Sequence, residues 1–227
     1  MIETVPTIET SPDTLKREHL RADIKPIFAC VGTYDHYEPE LSGLEREFEH
    51  NKSNRYADYY GDDTTQRETG FLNAGPRTFV ISQIDENSKY SKDYLDCTGL
   101  IVVGKAKDSE HNVSFLTHQD PTKFLYRVRD TFVQSLHKRL QQLSEMCEKN
   151  TIDAVIVGGN DYGNNYEESI RLLGDEVEQK FGFRPVVLLG MKERSGGDDV
   201  YFDTKNRRAY IIRPHASDMK GDFVAPK

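Results

Sequence analysis

Three cysteines and seven histidines are the residues of this chain best suited to nucleophilic or metal chemistry, and each can be weighed in turn. Free cysteine is among the most buried residue types, so packing is the first reading for any of them. Cys147 shares a helical stripe with Leu125, Val128, Phe132, Leu136, Leu140 and Leu143, which makes it a core residue. Cys30 sits in the apolar run Ile24 to Val31 with no acid or base at useful spacing. Cys97 differs. It follows the polar run SKDYLD and directly precedes Thr98-Gly99, at the mouth of a strand, where a scaffold presents a reactive side chain. An odd count at unrelated spacings excludes a disulfide scaffold and a paired-cysteine zinc cluster. His36, His50, His137 and His215 form no ligand spacing, so no metal is expected.

A thiol becomes a nucleophile at neutral pH when a neighbouring imidazole takes its proton. Thr98 to Val103 and Val113 to Thr117 read as an antiparallel hairpin across the polar loop Gly104 to Asn112. Opposed residues in such a pair have a constant index sum. Centring the loop between Lys107 and Asp108 makes that sum 215, which pairs Gly99 with Leu116, Ile101 with Ser114, and Cys97 with His118. The rival His111 would need a sum of 208, and Val113 to Thr117 would then overshoot the partner strand. Taken alone, the pair is equally compatible with a strand-end cysteine near an unrelated histidine.

The elements that must carry this pair are those of an α+β protein. Strands are expected over Ile24 to Val31, Arg77 to Gln83, Ala154 to Val157 and Pro185 to Leu189, and a second hairpin joins Val200–Asp203 to Ala209–Ile212 through Thr204-Lys205-Asn206. A long helix starts at Asp120-Pro121 and runs from Thr122, and another spans Tyr166 to Phe181 with Ile170, Leu173 and Val177 inward. Hairpins mixed with single crossover helices predict a β-sandwich of mixed sheets flanked by helices, not a doubly wound parallel fold. Gly158-Gly159-Asn160 lacks the Lys-Ser/Thr of a phosphate-binding loop, and Glu167 and Glu168 behind it would repel phosphate. It is either a tight strand-to-helix turn or a glycine-walled channel through which a substrate loop approaches the thiol.

The whole chain of 227 residues has a net charge of −8, which disfavours binding to a phosphate backbone. No nucleic acid partner is expected. Apolar runs are far too short to span a bilayer, and MIETVPTIETSPD lacks the pattern of a signal peptide, so a soluble protein without membrane association is expected. Residues 1–70 hold 15 acids against 8 bases, while residues 71–227 hold 23 against 22. This divides the chain into an acidic N-terminal extension, 1–70, and a main domain, 71–227. In the extension, Leu41, Leu44 and Phe48 suggest a short amphipathic helix, and residues 49–70 read as a long loop, lid or disordered arm.

Leu95 to Val103, with Cys97 before Thr98-Gly99, followed by Ser114 to Pro121 with His118, resembles the chemoreceptor glutamine deamidase family CheD. The likeness extends to Asn73-Ala74-Gly75-Pro76 with Thr78 to Ser82, to Ala154 to Asn160, and to Gly196-Gly197 with Val200 to Ile212. It implies the fold that CheD shares with the cytotoxic necrotizing factor toxins, and Cys-His deamidation of protein glutamines without a cofactor. It also implies a third, hydroxyl-bearing residue upstream of the cysteine, for which Ser91, six residues before Cys97, is the candidate. Asp96 departs from the family's small residue at that place, and a carboxylate there opposes a thiolate.

On this resemblance the chain is a glutamine deamidase with Cys97, His118 and Ser91 in its catalytic set, and Gly158, Gly159 and Asn160 along the substrate path. The partner is a protein with an exposed glutamine. The protein would be cytoplasmic, or delivered to a host cell as an effector or toxin without a conventional signal peptide. A non-catalytic interaction module of the same fold, or a transglutaminase using the same pair, remains as the alternative.

Overall fold

A computed structural model describes residues 8–9, 17–50, 58–60, 79–94, 97–120, 128–158, 165–189 and 197–213. In chain order the elements are β1 (Ile8–Glu9), β2 (Phe28–Gly32), α1 (Tyr34–His50), β3 (Asp58–Tyr60), β4 (Phe79–Ile81), β5 (Lys89–Tyr94), β6 (Thr98–Lys105), β7 (Asn112–Gln119), α2 (Arg129–Met146), β8 (Asp153–Gly158), α3 (Asn165–Phe181), β9 (Val186–Leu189), β10 (Asp198–Asp203) and β11 (Arg208–Ile212). The strands form a five-stranded sheet, β1-β2-β11-β10-β5, and a six-stranded sheet, β3-β4-β7-β6-β8-β9. Both are mixed, because β2 runs parallel to β11 and β9 parallel to β8. The chain is thus a mixed α+β protein with three helices among the described residues.

Strand alternation explains the layering. In the first sheet Ala29, Val31, Val200, Phe202, Ala209 and Ile211 turn inward, and they meet Val80, Ile101, Val103, Leu116, Val155 and Val157 of the second sheet. The outer face of the first sheet, with Cys30, Tyr90, Tyr201 and Tyr210, is covered by Tyr37, Leu41 and Leu44 of α1. The outer face of the second sheet receives Phe132, Leu136, Leu140 and Leu143 of α2 and Leu173 and Val177 of α3. A sheet buried on both faces needs apolar side chains at successive positions, which accounts for the unbroken run Leu100 to Val103 in β6. Cys147 caps α2 with its sulfur against Gly104, where a Cβ would stand 2.5 Å from it. No described helix is long and apolar enough to cross a membrane.

Several expectations need correction. The boundary at residue 70, drawn from charge, is not a boundary of packing: β2 lies inside the first sheet and α1 covers it, so residues 27–50 belong to the layered core. Charge reports solvent exposure of one face and does not register the apolar stripe behind it. The span 49–70 also contains an edge strand, β3, which pairs with β4 through backbone bonds that require no apolar run. The polar run SKDYLD, for which no strand is expected from sequence, is largely β5. Asp96, Gly159, Asn160, Asn73 to Pro76, Gly196 and the expected first turns of the long helix, including Leu125, lie outside the described residues.

Candidate active site

The β6–β7 hairpin does not have the expected register. Thr98 pairs with Gln119, and Ile101 to Lys105 pair with Leu116 to Asn112, so opposed indices sum to 217. The polar residues Gly104, Lys105 and Asn112, read as loop, extend the strands, and the turn is closed by the Ala106 N–H on the His111 carbonyl at 2.9 Å. Cys97 is therefore not directly opposite His118, whose register partner is Gly99. The slip is two residues, so the alternation of faces is unchanged. Cys97 packs against the inter-sheet cluster, and His118 alternates with Leu116 toward the same side. Diagonal positions of this kind lie about 7–8 Å apart at Cα, within reach of an imidazole. His111 lies in the turn at the far end of the hairpin, eight strand residues from Cys97.

His118 is almost wholly buried, and its Nδ1 lies 2.8 Å from the Ser91 hydroxyl. Ser91 belongs to β5, in the opposite sheet, so this hydrogen bond crosses the sandwich. Regular pairing with the inward-facing Val200 aims the serine inward, and a bulge beyond it re-aims Tyr94. Ser91 pairs with Val200 but Tyr94 with Asp198, so three steps along β5 match two along β10. Residues three apart on a regular strand face opposite sides, and the extra residue lets Tyr94 face the interior as Ser91 does.

Tyr94 completes the surroundings of the imidazole. Its ring stacks on that of His118, with centroids 4.0 Å apart and planes 15° from parallel. Its hydroxyl donates to the Thr117 carbonyl at 3.0 Å. Burial is the main cause that pushes the phenol well above its ordinary pKa, with a hydrogen bond to Ser91 acting the other way, so the hydroxyl stays protonated and donates. Two glycines make room for this ring. A Cβ on Gly99 would stand 2.5 Å from the Thr117 carbonyl and 2.7 Å from the Tyr94 ring. A Cβ on Gly158 would stand 2.4 Å from the Cys97 carbonyl and 2.9 Å from Tyr94, and the φ of +78° there favours glycine in any case.

Of the residues singled out from sequence, the structure brings Ser91 and His118 into hydrogen-bond contact, sets Cys97 half-buried on the same face, and puts Gly158 against the Cys97 backbone. Tyr94, Thr117 and Gly99 were missed. The available signal was the pair Tyr90 and Tyr94, both strand-favouring, but the bulge breaks the two-residue period that would have marked a strand. Among the described residues, no group of three or more His, Cys, Asp or Glu side chains could hold a metal ion. A cavity of about 470 Å³ near Glu86, His111 and Lys205 and one of about 190 Å³ between His19 and Phe183 are lined by none of Ser91, Cys97 and His118.

No protein-family model matches this chain, and no curated protein is significantly similar to it. The arrangement must therefore be read from its own chemistry. A half-exposed thiol, a buried imidazole and a hydroxyl that fixes the ring are the components of a nucleophile, its base and the base's orienting group.

Proposed function

We propose that the chain is a cysteine-dependent deamidase acting on a glutamine side chain of a partner protein. The observation that supports this most directly is the Ser91 Oγ to His118 Nδ1 hydrogen bond at 2.8 Å, formed across the sandwich on the face that also carries Cys97. With one ring nitrogen held by Ser91, the other can serve the thiol. The sequence resemblance to CheD supplies the substrate class.

In the first half-reaction His118 takes the Cys97 proton, and the thiolate attacks the carboxamide carbon. The C–N bond breaks as the imidazolium returns the proton to nitrogen, which leaves as ammonia, and a thioester remains. Water then attacks the thioester with His118 as base, releasing glutamate and the thiol. Backbone N–H groups near Cys97 stabilise the oxyanion in both steps. Gly158 lies against the Cys97 carbonyl, and in this reading it seats the peptide of the nucleophile.

Intact-mass analysis of candidate partner proteins incubated with the chain tests this reading. A glutamine-to-glutamate mass change, absent with Cys97→Ser, is the expected result. Coupling of an added primary amine instead would establish transglutamination, and no mass change with any partner that binds would establish a non-catalytic module.

A further inference from the structure

We propose that Tyr94 is a positioning residue for His118, held over the imidazole by a Thr117 carbonyl that has been withdrawn from the β6–β7 ladder for that purpose. The inference rests on the Cys97–His118 reading and adds to it a device that neither the sequence nor the resemblance indicates.

The hydrogen bonds carry the argument. With opposed indices summing to 217, Leu100 faces Thr117, and in a regular antiparallel pair the Leu100 N–H would donate to the Thr117 carbonyl. It donates to Thr117 Oγ1 instead, at 2.9 Å. The side chain takes over the acceptor role of its own backbone, and the carbonyl turns out of the ladder, over Gly99, to accept the Tyr94 hydroxyl. That carbonyl belongs to the peptide that leads into His118, so its rotation also sets the direction in which the imidazole leaves the strand.

A buried polar side chain between a sheet and a helix costs stability unless each of its groups is paired. Here each one is. Thr117 Oγ1 donates to Gln119 Oε1 at 2.8 Å, Gln119 Nε2 donates to Thr98 Oγ1 at 2.9 Å, and Thr98 Oγ1 shares a hydrogen bond with Ser169 Oγ of α3. Thr98, Thr117 and Gln119 are fully buried and Ser169 nearly so, on the helix-facing side of the second sheet, where apolar residues would otherwise serve. The chain of bonds is explained if it holds the Thr117 side chain in the Leu100 acceptor position and so keeps the carbonyl available to Tyr94. The imidazole is then fixed by three independent contacts: Ser91 at Nδ1, the Tyr94 ring against its face, and the turned peptide at its root.

The test uses the full chain and two readouts. The first is the pH profile of Cys97 alkylation by iodoacetamide, located by peptide mass. The second is the tautomer of His118 from the imidazole nitrogen resonances, assigned by their loss in His118→Ala. Tyr94→Phe keeps the stack and removes the tether. Thr117→Val removes the substitute acceptor, and Thr117→Ser retains it. Tyr94→Phe and Thr117→Val should slow neutral-pH alkylation roughly ten- to a hundredfold, as for a displaced catalytic group, and shift the profile toward an ordinary thiol. Both should leave a mixture of His118 tautomers. Thr117→Ser should behave as the parent. If both variants keep the parental profile and tautomer while His118→Ala shifts the profile, the positioning role is refuted and the Cys-His reading stands. If His118→Ala also leaves the profile unchanged, both are refuted. Should Thr117→Val fail to fold, Tyr94→Phe decides alone, since the stacked ring still fills its site.

Discussion

Cys97, Cys30 and Cys147 sit in three different environments, and their reactivities should follow. Cys30 is buried between β2 and α1, and burial pushes the Cys147 thiol up to about 12. Both should resist alkylation in the native protein. Cys97 is half-buried on the face that carries His118 and should react first. Replacing His118 with Ala should slow Cys97 alkylation at neutral pH and reduce deamidation by about 100- to 10,000-fold, the usual range for a lost general acid-base. Cys97→Ser should abolish turnover and leave the fold intact. A Cys97 that alkylates no faster than a model thiol would count against the catalytic reading. Ser91→Ala should cost less than His118→Ala, because Tyr94 still holds the ring.

At the scale of elements, the site depends on three places where strand geometry is irregular. The β5 bulge turns Tyr94 to the side that Ser91 faces, the β6–β7 ladder opens at Leu100, and Gly158 ends β8 with a positive φ. Gly158→Ala would press a methyl group against the Cys97 carbonyl and the Tyr94 ring in a conformation that L residues avoid. Overpacking of this kind costs about 1–3 kcal/mol, so urea unfolding should show a clear loss of stability together with lost activity. Thr117→Val should cost about 1–3 kcal/mol by leaving a buried Leu100 N–H without an acceptor, and Thr117→Ser considerably less. Equal midpoints for the two Thr117 variants would show that the hydroxyl is not the acceptor that matters.

For the whole molecule, the N-terminal part is integral despite its acidity. Deleting residues 1–70 would remove β2 from beside β11 and strip α1 from Tyr90, Tyr201 and Tyr210, so the truncated chain should lose cooperative unfolding. It would also remove Arg17, which reaches the wholly buried Asp153 at 3.3 Å, and the Ile27 N–H, which donates to the same carboxylate at 2.7 Å. Stability should also fall in alkali. Burial raises the pKa of Cys147 and of Tyr90, Tyr94 and Tyr201, so each must stay protonated in the folded state while the unfolded chain releases its protons earlier. Their contribution is complete below the ordinary thiol pKa near 9 and is lost progressively as pH rises from there toward about 12 and beyond. Thermal midpoints measured between neutral pH and pH 11 should decline accordingly; a flat profile would show that these groups titrate freely in the native protein.

Much of this architecture was legible in the residues themselves, because period and apolar content act locally. The run Leu100 to Val103, the α2 stripe from Phe132 to Leu143, and the hairpin ending at Ile212 could be placed from side-chain spacing alone. So could Cys97 and His118 as members of one hairpin, since two strands joined by a short loop must pair. Their register could not, because Gly104, Lys105 and Asn112 lack apolar side chains and become strand only through backbone pairing across the hairpin. β5 could not be placed either: its bulge erases the alternation that identifies strands, and it is held by β10, more than a hundred residues away. The contact between Ser91 and His118 crosses from one sheet to the other, and no spacing in the chain specifies which residues of two sheets will face each other across a sandwich. Sequence determined most of the elements and set Cys97 and His118 on one hairpin. Tertiary structure decided the partners of the imidazole, because those are set by how one sheet is stacked on the other.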